Sequence, residues 1–134
     1  MIHLDTSFLV DLLRERRRDR PGPAVRLLED RLDETLWISV FVACELAAGI
    51  EVSQRSDRER HAVEGLVDSL QVTYPDARFA TTYGRVFAQL RGAGTTVPTM
   101  DLLIAVSALI EGARLVTRNA RHFARVPGLE VLSY

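Results

Sequence analysis

A three-layer α/β domain with a mainly parallel central sheet is the fold this sequence predicts, and three observations carry that reading. Short apolar runs alternate with longer amphipathic stretches along the whole chain, as strand-helix units require. The first run, Ile2 to Leu4, stops at Asp5 and passes straight into a helical pattern, so a carboxylate stands at the C-terminal end of a strand. Right-handed crossovers then bring the ends of all parallel strands to one edge of the sheet.

Taken in order, Phe8, Leu9, Leu12 and Leu13 recur at helical spacing, with Asp11 on the other side, until the charged segment before Pro21. Val25, Leu27, Leu28 and Leu32 predict a second helix closed before Glu34, and Leu36 to Ile38 a buried strand. Ser39 to Ile50 reads as a helix capped by Ser39, with Gly49 near its stop. Val63, Leu66, Val67 and Leu70 mark an amphipathic surface helix within Gln54 to Ser69. Gln71 to Tyr74 is the next strand, ended by Pro75. From Ala77 to Arg91 the stripe Phe79, Tyr83, Val86, Phe87 and Leu90 predicts a helix with an aromatic core face. After the Gly- and Thr-rich loop at Gly92 to Thr96, Thr99 is suited to cap a helix that is apolar on nearly every side and opens with Asp101 in its first turn. Gly112 stops it, Arg114 to Thr117 forms a strand, Asn119 is placed to cap a short helix over Ala120 to Phe123, and Leu129 to Leu132 is the last strand.

With 134 residues the chain is expected to form one domain, residues 1–134, with no internal repeat or linker. The one cysteine, Cys44, excludes an internal disulfide and thiol-ligated zinc, and suits a reducing, cytoplasmic compartment. No segment reads as a signal peptide or a membrane span. All 17 basic residues are arginine, which removes the lysine that a Walker phosphate loop or a receiver-type phosphoaspartate site needs. A formal net charge of −1 argues against indiscriminate coating of nucleic acid, so any contact must come from local clusters. Three arginine groups are visible, Arg14 to Arg20, Arg55 to Arg60 and Arg114 to Arg125, and the first two read as solvated surface.

Four side chains stand where strand ends meet. Asp5 and Asn119 follow strands directly, Glu45 comes a turn or two into a helix that follows one, and Asp101 opens a buried helix. Each has an ordinary explanation. Asp5, Thr6 and Ser7 all suit a helix cap, and Asp101 gains about 0.3–1 kcal/mol from the helix dipole. Glu45, the only charge in its stretch, needs a partner, since a lone buried carboxylate costs several kcal/mol; a salt bridge to an arginine would meet that need. The acids acquire meaning for chemistry only if they converge.

In these positions the sequence resembles the PIN-domain ribonucleases, and among them the VapC-type toxins of bacterial toxin-antitoxin pairs. The matching segments are HLDTSFLVDLL, ISVFVACELAAG, TMDLLIAVSAL and LVTRNARHF, which together extend over essentially the whole chain. The resemblance implies a PIN-like α/β/α fold and an acidic quartet that binds magnesium or manganese and cleaves RNA. Asp5, Glu45 and Asp101 match the first three acids, Asn119 stands at a fourth position that is often Asp, and Thr117 matches the hydroxyl residue near it. It further implies a homodimer and a VapB-like antitoxin whose tail lies across the site.

Electrostatics points the same way. Two carboxylates about 4 Å apart repel by roughly 4 kcal/mol at an effective dielectric near 20, and a divalent cation relieves this. Oxygen ligation without clustered His or Cys favours Mg2+ or Mn2+ over zinc. The resulting assignment makes Asp5 and Asp101 metal ligands, Glu45 the holder or base of a metal-bound water, and Asn119 a positioner of water or a second cation. Arg118 and Arg121 are candidate phosphate contacts, with plain surface solvation as their alternative. His3 and His122 are set aside as bases. Two other functions compete: a catalytically weak PIN domain serving as an RNA-binding or protein-interaction module, for which only Asn119 speaks, and a phosphatase using Asp5 as nucleophile, which lacks a second aspartate at Ser7.

Overall fold

The computed structural model describes residues 1–54 and 56–134, so Arg55 of the second arginine group lies outside the described residues. Strands β1 (Ile2–Leu4), β2 (Leu36–Ser39), β3 (Gln71–Thr73), β4 (Arg114–Val116) and β5 (Val131–Leu132) form one sheet in the order β3-β2-β1-β4-β5. Every neighbouring pair is parallel. Helices α1 (Thr6–Arg17), α2 (Pro23–Glu29), α3 (Val40–Val52), α4 (Asp57–Asp68), α5 (Phe79–Gly92), α6 (Thr99–Ile110) and α7 (Ala120–Phe123) fill the connections. The three-layer α/β architecture is therefore as the alternation of runs predicts. No helix among the described residues is long and apolar enough to cross a membrane.

Strand order decides where a ligand can sit. From the central β1 the chain moves outward to β2 and β3, then returns to place β4 on the other side of β1. The switch point lies between β1 and β4, and in such sheets the binding crevice opens beyond the strand C-termini at that point. Those termini carry Asp5 and Thr117. The sheet is buried from both faces: Leu12 of α1, Leu28 of α2 and Leu66 of α4 line one cavity with Leu4 and Leu36, while α5 and α6 meet Thr73 through Phe79 and Ser107. Ile2, Leu4, Phe8, Leu9, Ile38, Ile104 and Leu115 are essentially without exposed surface.

Several local expectations are corrected. Ser39 does cap α3, accepting from the Val42 N–H at 3.3 Å, yet the helix runs past Gly49 to Val52. Thr99 is the first residue of α6 rather than its cap; Pro98 holds that place in extended geometry, and its carbonyl accepts from Leu102. The aromatic stripe of α5 is only partly core, since Val86 and Leu90 are buried whereas Phe87 is 47% exposed and Tyr83 stacks on it. Arginine pairing accounts for much of the basic surface. Arg17 meets Glu59, Arg60 meets Glu51, and Arg31 and Arg114 converge on Glu34, whose carboxyl is held below the usual range chiefly by Arg114.

One capping device is not visible in sequence periodicity. The Glu15 carboxylate accepts from the backbone N–H groups of Gly22, Ala24 and Val25 at 2.9–3.0 Å. Pro23 has no N–H to offer, so an acid from α1 satisfies the available donors at the start of α2. A Cβ on residue 22 would stand 2.5 Å from the Glu15 carboxyl, so any larger residue there would push that side chain out of its capping position. Glu15→Ala is expected to lower stability by about 2 kcal/mol, the upper end for loss of a cap, measurable by urea unfolding; an unchanged midpoint would show that water replaces the carboxylate without cost.

Candidate active site

The chain folds so that Asp5 is held before it can act as a cap. Its backbone N–H still donates to Val116 O at 2.9 Å, keeping residue 5 in register with the end of β4. Asp5 occupies the N-cap position of α1, but its side chain makes no cap bond. Instead Oδ2 accepts from two hydroxyls, Ser7 Oγ and Thr117 Oγ1, each at 2.7 Å. Both hydroxyls are filled in turn: Ser7 Oγ accepts from the Arg118 N–H at 3.1 Å and Thr117 Oγ1 from the Asn119 N–H at 3.0 Å. Asp5 is 4% exposed, and its Oδ1 takes no hydrogen bond among the described residues. One oxygen is thus fixed and the other left for a ligand.

Asp101 opens the buried α6 and is the second acid at this edge. Burial raises its carboxyl above the ordinary range, and the Asp5 charge raises it further, while His122 opposes both. The opposing contact is His122 Nδ1 at 3.4 Å from Asp101 Oδ2. His122, set aside on sequence grounds, therefore touches an acid of the site. His3 lies apart from this chemistry: it is 1% exposed in β1, and among the described residues neither ring nitrogen has a partner.

Glu45 is not the lone buried charge its neighbours in sequence suggest. It is half-buried on α3, and Oε1 accepts from Thr6 Oγ1 at 2.6 Å. No arginine pairs with it among the described residues; a hydroxyl from the start of α1 meets the need instead. Thr6 and Ser7, read from sequence only as caps, prove to bond the acids, Ser7 donating to Asp5 and Thr6 to Glu45. The signal lay in the Asp-Thr-Ser order, which puts hydroxyls on both sides of the new helix start. Asn119 holds the N-cap of α7 without a side-chain cap bond and is exposed. Arg121 is exposed, and Arg118 pairs with Asp11 at 2.7 Å.

Convergence is therefore partial. The Asp5 charge is felt at Asp101, and Glu45 is tied by its hydrogen bond to Thr6, which neighbours Asp5 in the chain. Among the described residues no group of three or more His, Cys, Asp or Glu side chains is close enough to hold an ion as a ready cage. What the site offers a hard cation is an all-oxygen donor set with one free Asp5 oxygen and a carboxyl at Asp101 whose charge is disfavoured by burial and by Asp5. That donor set fits magnesium or manganese.

Comparison with known proteins shows the family. A model of the PIN domain matches residues 2–129. The chain is 39% identical over 94 residues, covering 70% of it and 71% of the relative, to the tRNA(fMet)-specific endonuclease VapC of Shigella flexneri. The fold superposes on the crystal structure of VapBC2 from Rickettsia felis bound to a promoter DNA fragment, with a TM-score of 0.88, 28% identity, and coverage of 100% of this chain and 99% of that one. DNA-bound VapBC from Salmonella typhimurium gives a TM-score of 0.86 at 29% identity, covering 98% and 96%. With fold and sequence agreeing, this chain belongs to the PIN-domain family, among the VapC-type endoribonuclease toxins.

Proposed function

We propose that the chain cleaves RNA phosphodiesters with a divalent cation held by Asp5 and Asp101, as the toxin of a pair restrained by a VapB-like antitoxin. The observation that carries this reading is the Asp5 carboxylate at the topological switch point, fixed through Oδ2 by Ser7 and Thr117 with Oδ1 left unbonded among the described residues, in a site whose donors are all oxygen. When bound, Mg2+ or Mn2+ would supply a more acidic water and neutralise charge on the phosphodiester. Ser7 and Thr117 fix the Asp5 carboxylate so that the same oxygen faces the crevice in every turnover. Thr6 occupies Oε1 of Glu45 and leaves Oε2 to accept a proton from the attacking water. The Asn119 amide positions water or a second cation without adding charge, and Arg118 and Arg121 receive the phosphate backbone.

Partners follow from the neighbours. The Rickettsia and Salmonella structures are toxin-antitoxin complexes, which supports a VapB-type partner. A homodimer fits the small exposed residues Cys44, Ala47 and Ala48 on α3 and the exposed Phe87 on α5. The single thiol suits the reducing cytoplasm. Because the Shigella relative is tRNA(fMet)-specific, initiator tRNA is the first substrate to test. Cleavage in Mg2+ or Mn2+ that stops on chelation supports the reading; RNA retention without cleavage would favour the binding-module alternative, to which the exposed Asn119 lends itself.

A stability measurement tests the site independently of substrate. A carboxyl raised in the folded state adds stability below its unfolded value and loses it as pH rises, so the charged Asp101 burdens the fold at neutral pH. Asp101→Asn is expected to raise the melting temperature in chelator and to abolish stabilisation by added Mn2+. A lower melting temperature would mean that the His122 contact outweighs the repulsion.

A further inference from the structure

One carboxylate outside the acidic site accepts two side-chain hydrogen bonds, as many as Asp5 within it. Asp11 Oδ2 accepts from the Tyr134 hydroxyl at 2.7 Å, and Oδ1 from Arg118 Nη1 at 2.7 Å, with Arg14 Nη1 at 3.6 Å from the same oxygen. Asp11 and Ser7 stand one turn apart on α1 and so face the same way. Their partners are consecutive parts of one residue: Ser7 takes the Arg118 backbone N–H and Asp11 the Arg118 guanidinium. Since Ser7 also donates to Asp5, the arginine is tied at both ends to the helix that carries the candidate metal ligand.

Tyr134 completes the arrangement. Its ring packs edge-on against the fully buried Phe8, with centroids 4.9 Å apart at 90°, so its hydroxyl is delivered to Asp11 from a fixed position. Burial and the bond to Asp11 both raise the phenol and keep its proton in place. The Arg118 side chain is 52% exposed against 19% for Asp11. Among the described residues only Nη1 of the guanidinium is engaged, leaving its remaining N–H groups to solvent. A charge whose root is fixed and whose tip is open is organised to meet a ligand.

We propose that Asp11 and Tyr134 are positioning residues that aim the Arg118 guanidinium at an RNA phosphate bound beside Asp5. This rests on the ribonuclease reading. The bracket lowers the ordering cost of an otherwise free arginine, so its contribution falls on binding of the strand rather than on the chemical step.

The test uses the purified full chain with Mg2+ and a labelled initiator tRNA, reading KM and kcat separately, and the salt dependence of binding to the same RNA. Arg118→Ala is expected to raise KM about tenfold, as for loss of a charge-assisted contact, with kcat little changed. It should also lessen the salt slope by about 0.7, the value for one phosphate on a single strand. Tyr134→Phe, which keeps the ring on Phe8, and Asp11→Asn should raise KM in the same direction, yet add nothing in the Arg118→Ala background. A purely structural latch would instead lower the melting temperature while KM and the salt slope stay at the wild-type values, and that result overturns the proposal. Effects that multiply with Arg118→Ala overturn it as well. Failure of the wild-type protein to bind or cut any RNA defeats the ribonuclease reading itself, and is distinguished by occurring with no substitution present.

Discussion

Asp5→Asn is expected to reduce RNA cleavage by more than about a hundredfold, a larger loss than removal of an orienting partner, which typically costs about 10–100-fold. The amide is nearly isosteric and can accept from Ser7 and Thr117 through its oxygen, so the two 2.7 Å hydrogen bonds can persist. The variant gives up the charge that Oδ1 offers a cation, and the burden that Asp5 places on Asp101 disappears with it. Activity and stability should thus separate: cleavage at saturating Mg2+ collapses while the melting temperature in chelator does not fall. Thr117→Val supplies the comparison. It removes one donor to Asp5 and leaves the Asn119 N–H without its acceptor, so it should cost activity within the smaller range and stability as well. Cleavage by Asp5→Asn within a few-fold of wild type, in material free of contaminating nuclease, would sink the metal-ligand assignment of this residue.

What the sequence made legible, and what it hid, divides by the range of the interactions. The strand ending at Asp5 could be read because alternation, an acid and a helix start are adjacent within a few residues, and sheet topology does the rest. The parallel order follows from helical crossovers between short buried runs. The partner of Glu45 could not be read, because burial of α3 was inferred from composition while the satisfying hydroxyl lies 39 residues away at Thr6. Asp11 looked like ordinary polar surface on α1; its meaning depends on Tyr134, 123 residues downstream, which periodicity cannot connect to it. Glu15 is similar at shorter range, since capping across a turn depends on where the chain returns rather than on residue type. The aromatic stripe of α5 failed for a different reason. Its spacing reports a continuous apolar face, but not whether that face meets this chain's own core or, as the exposure of Phe87 allows, another surface.

His3 provides the largest expected effect on stability. The ring is buried in the central strand, and among the described residues neither nitrogen has a partner; Trp37, its register neighbour on β2, also has a buried, unpartnered Nε1. Burial disfavours the charged imidazolium and holds the group down to about 4 from its ordinary 6.5, with the nearby N-terminal charge adding to the effect. The unfolded chain therefore binds a proton in a range where the native state refuses one. The stability tied to His3 is complete above pH 6.5 and is lost progressively as pH falls towards 4. That difference corresponds to roughly 3 kcal/mol across the window. Leucine has similar bulk, suits a strand between β2 and β4, and brings no polar atoms to desolvate. His3→Leu is expected to gain about 1–3 kcal/mol at pH 7, from removal of buried unpaired groups, and to flatten the stability curve between pH 6.5 and 4. At about 4 °C per kcal/mol for a domain of this size, both effects are resolved by thermal melts at pH 7.5, 6 and 4.5. Parallel pH profiles for wild type and variant would show that the ring takes up its proton in the native state as readily as in the unfolded chain, which requires an acceptor at Nδ1 or Nε2.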